Sequence, residues 1–250
     1  MKKIVRKLPV ICIGLFVLIG ALQLGADGLE SGKALLERAT VGLFNETMSR
    51  SALRELLEDS MEAFAEVNDP CVRDYWRARG SYLYGFVEEG DGRSKAAEQR
   101  FQQGFDLAES ALSCGDFSDA YRLLADTQAQ LLMYNGMLYA MQHGPTVREF
   151  AEKALELDPG NIKARLNLAL FYKNAPAIAG GSEKTARKML HQLETVSGLE
   201  PLDRFSVNVW LGISYAESKN ASTARRYIDR AQEIFPGNTW LQEIISEHSL

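Results

Sequence analysis

From about residue 31 onward, strong helix breakers cut the chain at short intervals, and between the cuts apolar residues recur with a helical period. Breakers stand at Asn68-Asp69-Pro70, Gly90-Asp91-Gly92, Cys114-Gly115-Asp116, Gly144-Pro145, Asp158-Pro159-Gly160, Ala179-Gly180-Gly181 and Phe235-Pro236-Gly237. Between them, sets such as Ala34, Leu35, Ala39, Leu43 and Leu53, Leu56, Leu57, Met61, Phe64 are spaced three and four apart, which puts each set on one helical face. No stretch alternates apolar and polar residues for long enough to argue a strand. Segments of this size form single helices or short helix pairs, so the sequence predicts an all-α chain.

The segments also repeat in kind, and a repeat fixes the architecture. Leu211-Gly212 is followed by Tyr215, then by Ala224, Ile228 and Ala231, then by Pro236-Gly237-Asn238. Gly212 and Ala224 are small, as two closely crossing antiparallel helices require. Tyr215 and Ile228 fill the space beside that crossing, and Pro236 stops the second helix. This pattern over 205–238 resembles the tetratricopeptide repeat (TPR). It departs where the family usually has tryptophan, since Asn208 stands there with Trp210 close by.

Two further stretches share the resemblance. Ala151, Ala154, Leu155 and Leu157 precede Asp158-Pro159-Gly160-Asn161, as at the end of a second repeat helix; its partner is read as one long helix over 120–141. The next first helix is 161–174, with Leu168, Ala169 and Tyr172, and its second is 184–196, with Ala186, Leu190 and Leu193. Trp76, Gly80 and Leu83, followed by Ala97 and Phe101, form a degenerate copy, and 32–68 fits one more pair by length. The resemblance covers about 73–238.

A right-handed superhelix of antiparallel helix pairs is what this resemblance implies, ending in a capping helix over 239–249 with Trp240, Leu241, Ile244 and Ile245 on one face. One domain over 27–250 is expected, with degenerate pairs over 32–115 and better-formed repeats over 117–238. Repeats of this family line a concave face with the first helix of each pair. The implied groove residues are therefore Lys163, Leu166, Asn167, Leu170 and Lys173 in one repeat and Ser206, Val209, Ile213 and Ala216 in the next. Such a groove suits an extended or helical peptide. Lys163 and Asn167 match part of the Lys/Asn/Arg set with which some members grip a C-terminal carboxylate, but the neighbouring repeat offers nothing to complete it. The alternative for all nine residues is packing or contact with water.

Export is expected from the first residues. Lys2, Lys3, Arg6 and Lys7 precede an uncharged apolar run over 8–24, and Leu24-Gly25-Ala26 supplies small residues before Asp27. Positive, then apolar, then small is the order of a secretory signal peptide, here 1–26. The alternative is an inner-membrane anchor over 8–24, which Pro9, Gly14 and Gly20 weaken. Cys12 lies inside the apolar run rather than at its end, so it does not read as a lipid acceptor. Loss of 1–26 removes four basic residues and no acid, taking the formal charge from −5 to −9. An acidic periplasmic or otherwise exported protein follows, with no basic surface for nucleic acid and no membrane contact except through an uncleaved leader.

Cys71 begins one helix and Cys114 follows the next. An antiparallel hairpin brings those two ends together, so a disulfide is possible in an exported chain; the alternative is two half-buried thiols.

Candidate chemistry is sparse. The histidines, at 143, 191 and 248, are far apart. His191 and Glu194 share a helical face, but such a pair is usually solvent-exposed rather than a metal site. Phosphate-loop and dinucleotide motifs are absent, and Gly212-Ile213-Ser214-Tyr215-Ala216 falls inside a repeat helix rather than on the strand-to-helix turn of a nucleophile elbow. No cofactor, metal or catalytic residue is expected. Ser182 can cap the helix after the loop 174–182, whose Gly180 and Gly181 suit a compact insertion that either seals a repeat junction or meets a partner. The functional expectation is a non-catalytic scaffold holding a protein or peptide partner. The alternative is an accessory subunit of a solute-uptake system that holds a small ligand.

Overall fold

The computed structural model describes residues 11–250, with side chains from Gly28 onward. The basic residues 2–7 lie outside the described residues, and of the remaining leader only backbone over 11–26 is described, as part of the first helix. Eleven α-helices follow one another with no strand among the described residues. They are α1 Ile11–Phe44, α2 Arg50–Ala65, α3 Pro70–Gly90, α4 Ser94–Ala111, α5 Ser118–Tyr134, α6 Met137–Leu157, α7 Ile162–Asn174, α8 Glu183–Glu194, α9 Pro201–Glu217, α10 Ala221–Ile234 and α11 Thr239–His248. Consecutive helices pack as antiparallel pairs, α1 with α2 through α9 with α10, and each pair packs on the next. Among the described residues no helix is long and apolar enough to cross a membrane.

Local chemistry sets the helix starts. Asp69 accepts from the Cys71 and Val72 amides at 2.9 and 3.1 Å, with Pro70 in the first turn, where its missing N–H costs nothing. Asn161, Ser182, Asn220 and Asn238 likewise accept from the amide three residues on. Small residues set the crossings: a Cβ added at Gly212 would meet Ile228 Cδ1 at 2.6 Å, and one at Gly85 would overlap the Phe101 ring. Ala224, Ile228 and Ala231 of α10 are fully buried against α9. A disulfide joins Cys71 to Cys114 at the open end of the α3–α4 hairpin, with Cα atoms 6.2 Å apart.

The stretch read as one helix over 120–141 is two. Asn135-Gly136 turns the chain between α5 and α6, and Asn135 Nδ2 donates to the Leu131 carbonyl at 2.9 Å. Gly144-Pro145 does not break the chain but lies within α6. Pro145 removes the bond that the Met141 carbonyl would accept. That loss is tolerable because Met141 is exposed and water can replace the missing donor.

The two ends of the solenoid meet. Phe44, at the end of α1, packs edge-on to Phe205 of α9 at 6.4 Å and stacks on Phe235 at 5.9 Å. Asn238 Nδ2 donates to the Phe44 carbonyl at 2.9 Å, and the Thr239 amide donates to Glu46 at 3.0 Å. The α1–α2 turn thus rests on the α10–α11 turn.

Candidate functional site

Helices α3, α5, α7 and α9, the first of their pairs, converge on a cleft of about 300 Å³. Its polar lining comes from every one of them and the turns that lead into them: Tyr75 and Arg79, Asp119 and Arg122, Asn161 and Lys163, Glu200 and Asp203. A larger depression of about 610 Å³ beside Gly92, Arg93 and Gln99 gathers no such convergence of helices.

Arg122 is the deepest charge in the cleft, 5% exposed. Its Nη1 donates to Asp126 at 2.6 Å and its Nη2 to the Tyr75 hydroxyl at 3.3 Å. Nε is buried with no hydrogen-bond acceptor, and the Asp119 carboxylate is 3.9 Å from it. Burial works against the guanidinium charge, but Asp126, Tyr75 and Asp119 more than offset it, so its pKa is raised and it stays cationic. Burial raises the Asp126 carboxyl, with Arg122 opposing.

The acids of the cleft are engaged within the protein. Lys163 Nζ lies 2.7 Å from both Glu200 and Asp203, and Asn161 Nδ2 donates to Asp119 at 3.0 Å. Arg79 rests over the Trp76 ring at 4.6 Å, which leaves its guanidinium edge toward the cleft. Among the described residues Arg79 has no carboxylate bonded to it, and Asp158, which accepts the Gly160 amide at 2.8 Å, is the lining acid without a cation.

Only part of the residue set expected from the sequence lies here. Lys163 lines the cleft, and Asn167 donates to the Arg122 carbonyl at 3.1 Å, beside it. Leu166 is buried with Ala169, Leu190 and Leu193, and Leu170 packs on the same cluster. Val209 and Ile213 are buried with Phe205, Ile228 and Leu241. Leu166, Val209 and Ile213 are core residues and do not line the groove: each lies about 100° around its helix from the next residue, so one step of register turns a groove position inward. Ser206 donates to the Leu202 carbonyl at 2.9 Å, Ala216 is half-buried near the end of α9, and Lys173 is enclosed between Glu183 and Glu217. The residues missed are Tyr75, Arg79, Asp119 and Arg122. They come from the repeats before that of Lys163, so a neighbouring repeat, expected to offer nothing beside Lys163 and Asn167, does supply an arginine there.

Other candidate groups are engaged internally. His191 Nδ1 is 3.2 Å from Glu194 and Nε2 is 2.9 Å from the Tyr215 hydroxyl. Asp69, Cys71 and Cys114 form the one cluster with metal-ligand reach among the described residues, but both sulfurs are in the disulfide.

No protein-family model and no curated protein matches the chain. Solved structures do. TTC0263, a thermophilic TPR protein of Thermus thermophilus, aligns with a TM-score of 0.56 at 15% identity, over 87% of this chain and 98% of that one. YrrB, described as a TPR protein with an unusual peptide-binding site, aligns with a TM-score of 0.40 at 16% identity, over 84% of this chain and 89% of its own. Helix pairing in series and the first of these likenesses agree, and the fold of this chain is an all-α tetratricopeptide-repeat solenoid.

Proposed function

We propose that the protein is an exported, non-catalytic scaffold that holds a protein or peptide partner on its concave face, with a carboxylate of the partner seated in the cleft between Arg79 and Arg122. The observation that carries this reading is the meeting of Arg79 and Arg122, from successive first helices, in a cleft whose third cation, Lys163, is already paired. Bidentate geometry makes arginine the suitable partner for a carboxylate. The Cys71–Cys114 bond and the leader-like 1–26 support export, because disulfides persist in oxidising compartments.

A second reading rests on size. A cleft of about 300 Å³ with converging polar groups lies at the small end of ligand pockets, which favours a small carboxylate solute.

Photo-crosslinking residues at Tyr75 and Ile162, with Lys153 on the outer face as control, test the first reading in intact cells. The expected result is one discrete protein adduct from the cleft positions, lost in Arg79→Ala. Thermal-shift titration with small mono- and dicarboxylates tests the second, with an Arg79-dependent stabilisation expected. No cleft-specific adduct and no Arg79-dependent shift would sink both.

A further inference from the structure

The α5–α6 hairpin overhangs its neighbours at one end. Leu131 is the last fully buried residue of α5 and Val147 the first of α6; between them Leu132, Tyr134 and Tyr139 still pack on the core, and the opposite side of the tip faces outward. Met133, Met137, Leu138 and Met141 are 79%, 80%, 79% and 72% exposed. No Asp, Glu, Lys or Arg occurs between Asp126 and Arg148, in a chain that is 24% charged. Ile178, 99% exposed, belongs to the α7–α8 loop on the same edge.

Several polar side chains at this tip bond within the protein. The Tyr134 hydroxyl donates to Glu89 at 2.8 Å, Gln128 donates to the Tyr139 hydroxyl at 3.2 Å, and Asn135 caps the Leu131 carbonyl. The flanking hairpins on this edge begin their second helices with Lys95 and Lys184, both exposed and in no ion pair among the described residues. Of the neighbouring acids, Glu88 and Asp91 are paired with Arg54 and Glu183 with Lys173, while Glu89 holds the Tyr134 hydroxyl and no cation among the described residues.

We propose that this tip is a membrane-contact site, in which Met133, Met137, Leu138 and Met141 enter the interface of an anionic phospholipid bilayer while Lys95 and Lys184 meet its headgroups. An uncharged apolar tip with free cations on its flanks complements that surface in both polarity and charge. A second copy of the chain fits less well, because four side chains on a convex tip fall short of the about 800 Å² per partner that stable protein interfaces use.

The test uses the full chain with vesicles of phosphatidylcholine and phosphatidylglycerol that carry a photoactivatable phospholipid, and maps adducts by mass spectrometry. The apolar segment 8–24 serves as an internal reference. Adducts on residues 133–141 are expected. They should fall at least about tenfold in the combined Met137→Ser, Leu138→Ser, Met141→Ser variant, with labelling of 8–24 unchanged. Lys95→Ala with Lys184→Ala should weaken tip labelling only where phosphatidylglycerol is present. These positions are exposed, so an unchanged melting temperature verifies folding of every variant. Absence of tip adducts in the folded wild-type chain overturns the proposal, as does labelling that ignores the serine substitutions. Concentration-dependent self-association that the serine variant abolishes, without tip labelling, would assign the surface to a second copy instead.

Discussion

The ring of Phe44 stacks on that of Phe235 with centroids 5.9 Å apart, so the end of the first helix rests on the end of the tenth. Repeat solenoids are held chiefly by contacts between neighbours, and their stability is close to a sum of nearest-neighbour terms. A contact between first and last pairs changes that, because neither end can fray without losing apolar contact with the other. Asn45 reinforces the geometry from the same turn: its carbonyl stands where a side chain at Gly237 would have to go.

Phe44→Ala should cost about 3 kcal/mol, the usual scale for removing a packed phenylalanine, and should loosen both ends together. Native-state hydrogen exchange reads this directly. Amides of α2 and of α10 are expected to exchange faster in the variant, with those of α4 and α5 little changed. Gly237→Ala should give the same pattern through the clash with Asn45. Faster exchange at one end alone would show that the contact does not couple them.

Removing the disulfide should be costly for a loop of this span. Cys71 and Cys114 are separated by 43 positions, and the chain-entropy account gives about 4 kcal/mol for closing such a loop. The double variant Cys71→Ser, Cys114→Ser should lower the urea midpoint accordingly, and dithiothreitol should do so in the wild type but not in the variant. Equal midpoints with and without reductant would refute it.

The two loop glycines should differ sharply. Gly180 has φ +94°, where alanine is strained, but no backbone crowds its Cβ direction. At Gly181 an added Cβ would run into the Ala175 carbonyl and come within 3.1 Å of the Pro176 oxygen. Those carbonyls belong to the turn in which the Gly181 amide donates to Pro176 at 3.0 Å and that of Ser182 to Tyr172 at 2.7 Å. Gly181→Ala should therefore cost about 2 kcal/mol or more and Gly180→Ala about 1. A thermal melt separates the two, and a smaller loss at Gly181 than at Gly180 would contradict the geometry.

Acid should weaken the cleft through Glu200. The hydrogen bond from Lys163 holds this carboxyl below its ordinary value of 4.5, with burial opposing. A depressed carboxyl adds stability that is present above that value and lost as pH falls through the folded-state value. Lys163→Met should thus be mildly destabilising near pH 7, and its difference from wild type should shrink below about pH 4.5. Urea midpoints across that range test it; a constant difference would show that the pair contributes nothing through its charge. Glu200 is largely exposed, so the effect should be small and weakened further by salt.

Helix limits were legible where a local group creates them. Asp69 with Pro70, Asn161, Ser182 and Asn238 are capping residues at breaker positions, and each starts a helix. Reading failed between 120 and 147, where Gly144-Pro145 is the stronger breaker by type and Asn135-Gly136 is the one that turns the chain. Proline in a helix is penalised through a lost bond and a steric clash, but the penalty depends on what surrounds that turn. Here α6 has already left the core, and the exposed Met141 carbonyl has water at hand.

The sequence by itself determined that the chain is helical, that its helices pair antiparallel, and that Gly212 and Ala224 mark a close crossing. Each of these follows from properties of single residues and their near neighbours: period, capping and size. Tertiary structure alone decided which residues face the cleft, because that depends on how α7 and α9 rotate as they pack, and one residue of rotation exchanges Leu166 for Asn167. It also decided that Arg79 and Arg122, from earlier repeats, meet Lys163, and that Phe44 reaches Phe235. Those meetings are set by small rotations between successive pairs that accumulate along the solenoid, and no local pattern encodes their total.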